Sequence, residues 1–77
     1  MQNGPELTRL ATQEDVGAFV RRRRKTRRLS QAELAMAAGV GRRLVQKLET
    51  GKGSVNLDGA LRVLTTLSVD VLARPRS

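Results

Sequence analysis

Between Leu29 and Glu49 the sequence leaves little choice of local structure. Ser30 is followed three residues later by Glu33, the spacing at which a hydroxyl and a carboxylate cap a helix start reciprocally. Leu34 and Ala35 set an inward face, and Ala37 and Ala38 are small enough to let another helix come close. Gly39 supplies the left-handed residue that ends such a helix early. Gly41 opens a further helix whose Leu44, Val45 and Leu48 recur at helical spacing, and whose first residues are Arg42 and Arg43. Thr50-Gly51-Lys52-Gly53 ends it.

Two short helices meeting at a glycine turn, the second opening on a pair of arginines, have the layout of a helix-turn-helix. In that motif the second helix enters the DNA major groove.

The flanking segments read as further helices. Thr12 and Asp15 make another capping pair, with Glu14 and Asp15 in the first turn. Val16, Phe19 and Val20 follow, and the stripe continues through Arg23, Arg24 and Arg27, which predicts a helix over about residues 13–27. Its acidic start and basic end complement the helix dipole. Asn56 caps a fourth helix with Asp58 in its first turn, and Leu57, Ala60, Leu61, Leu64 and Leu67 are its expected buried face. Residues 1–6 read as a loose tail broken by Asn3-Gly4-Pro5, and Leu7–Ala11 as either an edge strand or an extended lead-in. After Ser68 the period changes. Val69, Val71 and Ala73 alternate with Asp70 and Leu72, as in a strand. The expected fold is mostly α: a compact bundle of four to five helices containing the helix-turn-helix, with a short C-terminal β-strand. The expected organisation is a flexible lead-in over 1–11, the helical domain over 12–67 and a dimerisation tail over 68–77.

Seventy-seven residues suit one domain. A chain of that size buries only about 60% of its unfolded surface, and with Phe19 as its one aromatic residue the core rests on Leu, Val and Ala. A lone strand at the tail cannot satisfy its own backbone groups. It needs residues 7–11 or a second copy of the chain. The second option predicts a homodimer with Val69, Val71 and Leu72 at the interface.

The net charge of +8 is unevenly placed: residues 21–52 hold 11 basic and 2 acidic residues, and the remainder is nearly neutral. One segment thus carries the whole excess, which suits a polyanion. A membrane surface would require an apolar, aromatic-bearing face that the segment lacks. Cysteine and histidine are absent, so disulfides, thiolate metal sites and histidine general bases are excluded, and no metal or cofactor is expected. With no nucleophile–base pair apparent, an enzyme is not expected. Cysteine usage favours the cytoplasm. No apolar run approaches membrane length, and no secretory signal is visible.

Residues from about Val16 to Leu72 resemble the Xre-type helix-turn-helix family of phage repressors and bacterial regulators. The marks are Arg24, Leu29-Ser30-Gln31, Glu33-Leu34-Ala35, Gly39-Val40, Val45, Leu48-Glu49 and Gly51. Within it, the compact length, the Asp15-Val16-Gly17 helix start and the tail look most like HipB-like antitoxins. The resemblance implies a lambda-repressor-like fold and a homodimer on an inverted-repeat operator in double-stranded DNA. For the antitoxins it also implies a HipA-like kinase toxin as partner; without one, the chain would be a phage-type or stand-alone repressor. Two departures stand out. Arg28 occupies a position where the family often has Gly, and Gly41 one where it often has a Ser or Thr cap.

The resemblance also implies that Gln31 anchors a phosphate, where its amide would donate from a helix start that already favours an anion. It pairs Arg24 with Glu49 across the fold as a partly buried structural ion pair. Arg42 and Arg43 begin the recognition helix, where a guanidinium can donate two bonds to guanine. Gln46 and Lys47 lie one turn further on and share that face. Thr50, Lys52 and the amides of Gly51 and Gly53 suit phosphate contacts. Leu44 either touches a thymine methyl or covers the turn. Arg21, Arg22, Arg23, Lys25, Arg27 and Arg28 read mostly as a solvated basic face, with phosphate contact the alternative for some of them.

Overall fold

The computed structural model describes residues 7–76. The expectations for residues 1–6 and Ser77 lie outside that range. Four helices follow one another: α1 (Gln13–Thr26), α2 (Gln31–Ala38), α3 (Arg42–Thr50) and α4 (Leu57–Thr66). α3 lies at the centre. α1 packs on it from one side and α2 from another, while α4 closes the bundle against α2 and α3.

The helix ends follow from their capping chemistry. Thr12 accepts from the Asp15 N–H, and the Asp15 carboxylate accepts from the backbone of Ala11 and Thr12 at 2.9 and 3.0 Å. Ser30 and Glu33 do the same for α2. Asn56 accepts from the Gly59 N–H at 2.6 Å. Gly41 precedes α3 without any side-chain cap, so that helix start has free N–H groups. α2 and α3 both end on left-handed glycines, Gly39 (φ 71°) and Gly51 (φ 70°). α1 and α4 end in the same kind of turn without glycine: Arg28 stands at φ 58° and Ser68 at φ 60°.

Val20, Leu34, Ala35, Ala38, Val45, Leu48, Val63, Leu64 and Leu67 form one buried cluster. Val16, Phe19, Leu29, Val40, Leu44, Val55, Ala60 and Val69 pack around its edge. At Gly17 α1 approaches α3 closely, because the missing Cβ leaves room for the Leu48 carbonyl.

Two expectations fail. The C-terminal strand does not form: residues 69–76 have no regular structure, nor do residues 7–11. Val69 instead closes the turn after α4. Its N–H donates to the Leu64 carbonyl at 3.0 Å, and its side chain covers the core edge. The alternation that suggested a strand is thus used once, at Val69, while Val71 and Leu72 are 54% and 77% exposed. The buried face of α4 is also rotated from the expected one. Ala60, Val63, Leu64 and Leu67 face inward, whereas Leu57 and Leu61 are 72% and 39% exposed. α2 and α3, the helices that α4 packs against, set which of its sides is buried.

Candidate nucleic-acid interface

The interface is built around one buried network. Arg24 is a charged residue on the inward stripe of α1, and only 9% of it is exposed. Its Nε and Nη2 donate to Glu49 Oε2 and Oε1 at 2.6 and 2.9 Å, a two-pronged bond from α1 to the end of α3. Its Nη1 donates to the Leu29 carbonyl at 2.8 Å, which ties in the loop before α2. Gln31, the first residue of α2, donates from Nε2 to Glu49 Oε1 at 3.1 Å. One carboxylate therefore fixes α1, the loop, α2 and α3 in one geometry. Burial pushes the Glu49 carboxyl up, but hydrogen bonds from Arg24 and Gln31 and the charges of Arg24 and Arg21 outweigh it, so its pKa lies below the ordinary value. The bond to Glu49, set against burial, raises that of Arg24.

Arg24 and Glu49, which the family resemblance pairs, are bonded in the structure. Gln31 is held against Glu49, so its amide supports the end of α3 and keeps one N–H for an outside acceptor. An open depression runs beside the network, lined by Arg21, Arg24, Gln31, Glu49, Thr50 and Lys52. It brings together the three expected phosphate residues, Gln31, Thr50 and Lys52. It also includes Arg21, one of the first-helix arginines that sequence reading left between a solvated face and a phosphate contact. The signal was present: Arg21 stands three residues before Arg24, on the same side of a helix. Thr50 donates its hydroxyl to the Lys47 carbonyl at 3.0 Å, a bond that it must release to donate to a phosphate.

Arg42, Arg43 and Gln46 are exposed on α3. Lys47 is half-exposed, and its stem runs beside Gly53 (φ 81°), where an added methyl would come within 4 Å of it. Gln13 donates to the Gly53 carbonyl at 3.0 Å and ties this loop back to α1. Leu44 packs under α4 at Gly59, so it covers the turn and does not face outward. On α1, Arg22 sits over the Phe19 ring at 5.4 Å. Phe19 packs on the core and offers no platform for stacked bases. Among the described residues there is no cluster of potential metal ligands, and no helix is long and apolar enough to cross a membrane.

Known proteins place this geometry. Residues 15–76 match the helix-turn-helix domain family. An uncharacterized HTH-type transcriptional regulator of Sinorhizobium fredii is 48% identical over 67 residues, covering 84% of this chain and 88% of that one. Among solved structures, chains of a HipA-HipB-O2-O3 complex and of a HipB-O4 20mer complex superpose with TM-scores of 0.81 and 0.80. Each covers 92% of this chain and all of the matched one, at 14% identity, so the likeness is one of fold.

Proposed function

This chain belongs to the helix-turn-helix domain family, with an Xre-like, HipB-type fold, and we propose that it is a DNA-binding transcriptional repressor acting as a homodimer on an inverted-repeat operator. It is a regulator and not an enzyme, as its relative is. The observation that carries this reading is the Glu49 network. It locks α2 and α3 together and leaves Arg42, Arg43 and Gln46 exposed on one helix, beside a depression with cationic and amide donors. A rigid helix with free guanidinium groups suits base readout, and the depression suits a phosphate at its flank.

Arg42, Arg43, Gln46 and Lys47 supply sequence preference in this reading. Gln31, Thr50 and Lys52 grip the backbone and supply salt-sensitive affinity. Val71 and Leu72, exposed on the tail beside Val69, supply the contact with a second copy. The bound dimer blocks a promoter by occupying it, on the chromosome in a bacterial cytoplasm. The test is selection of binding sites from random duplex DNA. Enriched sequences should contain an inverted repeat, and the absence of any enriched sequence would remove base readout.

A second reading makes the same chain the antitoxin of a toxin–antitoxin pair, binding a HipA-like kinase toxin and its own operator. What favours it is the fold match to a chain of a HipA-HipB complex over that chain's full length. A kinase-like gene adjoining this one, and a complex between the two products on co-expression, would support it. A stand-alone repressor would have neither.

A further inference from the structure

We propose that Gln13 is a positioning residue for DNA binding: it holds the loop between α3 and α4 so that Lys52 meets a phosphodiester of duplex DNA. The inference rests on the reading of this chain as a DNA-binding protein, and it adds a residue that this reading does not contain.

The first turn of α1 touches that loop at two glycines, one on each side of Lys52. At Gly51 an added Cβ would stand 3.0 Å from the Glu14 Cα and 2.8 Å from its Cγ, so the bare glycine lets α1 lie directly on the loop. At Gly53 the carbonyl accepts from Gln13 Nε2 at 3.0 Å, across 40 residues of sequence. The Gly53 carbonyl and the Ser54 N–H belong to one planar trans peptide and point in opposite directions. Turning the carbonyl onto Gln13 therefore fixes the plane of that peptide. Gly53 stands at φ 81°, a backbone that glycine adopts without penalty.

The loop keeps its donors for something outside the fold. The Gly51 N–H is used in closing α3, with bonds to the Lys47 and Leu48 carbonyls at 3.1 and 3.2 Å. The N–H groups of Lys52, Gly53 and Ser54 donate to no protein acceptor among the described residues. Lys52 is exposed, makes no ion pair among the described residues, and lines the depression with Arg21, Gln31 and Thr50. Among the described residues, Gln13 is the one side chain that hydrogen-bonds to the backbone between Gly51 and Val55. A single exposed hydrogen bond adds little to global stability. Its effect is local: it anchors the backbone next to Lys52, which lowers the ordering cost that the loop meets on binding. Gln13 is itself absent from the lining of the depression, so it acts through the loop.

The experiment measures the full chain, Gln13→Ala, Lys52→Ala and the double variant for thermal unfolding and for binding to random-sequence duplex DNA across a salt series. Lys52→Ala should make the slope of log affinity against log salt shallower by about 0.9, the share of one phosphate contact. Gln13→Ala should weaken binding about three- to tenfold at fixed salt, with Tm close to that of the parent. On the Lys52→Ala background the same substitution should cause no further loss, because residues that act through one contact are not additive. The proposal is overturned if Gln13→Ala binds like the parent, or if it causes the same fold-loss on both backgrounds, which would mean that Gln13 touches DNA itself or only supports the fold. A parent slope retained by Lys52→Ala also overturns it. If the parent chain binds no duplex DNA, the functional reading itself fails; if it binds, Lys52→Ala flattens the slope and the Gln13 effect is missing, this inference alone fails.

Discussion

Gly17 of α1 and Leu48 of α3 meet backbone to backbone, so closely that a methyl group at Gly17 would overlap the Leu48 carbonyl. Replacing Gly17 with alanine sets two effects against each other. Helix propensity favours alanine by about 1 kcal/mol, and overpacking costs about 1–3 kcal/mol. The overlap is with backbone, which cannot rotate away, so overpacking should win. Gly17→Ala should lower Tm and, by displacing the recognition helix, weaken DNA binding. A Tm equal to or above that of the parent would show that the helices can separate freely at this point.

The Arg24–Glu49 pair should be needed for folding as well as binding. The Glu49 side chain is only 4% exposed, and removing it leaves the Arg24 guanidinium buried and unpaired. The expected cost of Glu49→Ala is about 3–5 kcal/mol. Chemical denaturation measures it, and an unchanged midpoint would mean that Arg24 finds water or another partner.

The same pair sets an acid limit. The folded Glu49 pKa lies below its ordinary value. Its stabilisation is therefore fully present above the ordinary carboxylate range and is lost as pH falls through the folded value, because the unfolded chain binds the proton first. Unfolding measured against pH should show stability falling in that acid window. In Glu49→Gln the fall should be smaller, by the share that this carboxyl contributes.

The basic residues of α3 should divide into readers and anchors. Arg42 and Arg43 are exposed at the helix start, where base edges are reached, and alanine at a reader should cost about 1–3 kcal/mol and relax preference at one base pair. Lys47, whose stem runs beside Gly53, should weaken all sequences alike and flatten the salt dependence by about one unit. Competition against single-base variants of a selected operator separates the two patterns. Equal losses on operator and random DNA for all three residues would mean that α3 does not read sequence.

Dimerisation should depend on Val71 and Leu72 more than on Val69. Val69 already covers the core of its own chain, while the other two are exposed. Removing residues 71–77 should therefore give folded monomers with weakened operator binding. A truncated chain that still sediments as a dimer at low micromolar concentration would place the contact elsewhere, with the exposed Leu57 and Leu61 of α4 as the next surface to substitute.

Much of the fold was written in local chemistry. The capping pairs Thr12/Asp15 and Ser30/Glu33, the Asn56 cap and the glycines ending α2 and α3 act within a few residues, so spacing alone located them. The exposed start of α3 was legible for the same reason, as the apolar stripe Leu44-Val45-Leu48 leaves Arg42, Arg43 and Gln46 outside it. What the sequence left open was whatever depends on a distant neighbour. The face of α4 that became buried was decided by where α2 and α3 lay against it, which gave Val63 the place that Leu61 shared in the periodicity. The tail alternates like a strand, but a strand exists only where another backbone accepts its hydrogen bonds, and here Val69 bonds back to Leu64 instead. That Arg21 borders the depression while Arg22 lies over Phe19 follows from the way α1 crosses α3. Adjacent arginines are alike in sequence and are separated only by rotation about a packed helix. Tertiary structure also joined Arg24, Leu29, Gln31 and Glu49, which lie up to 25 residues apart, around a single carboxylate whose burial makes each bond count.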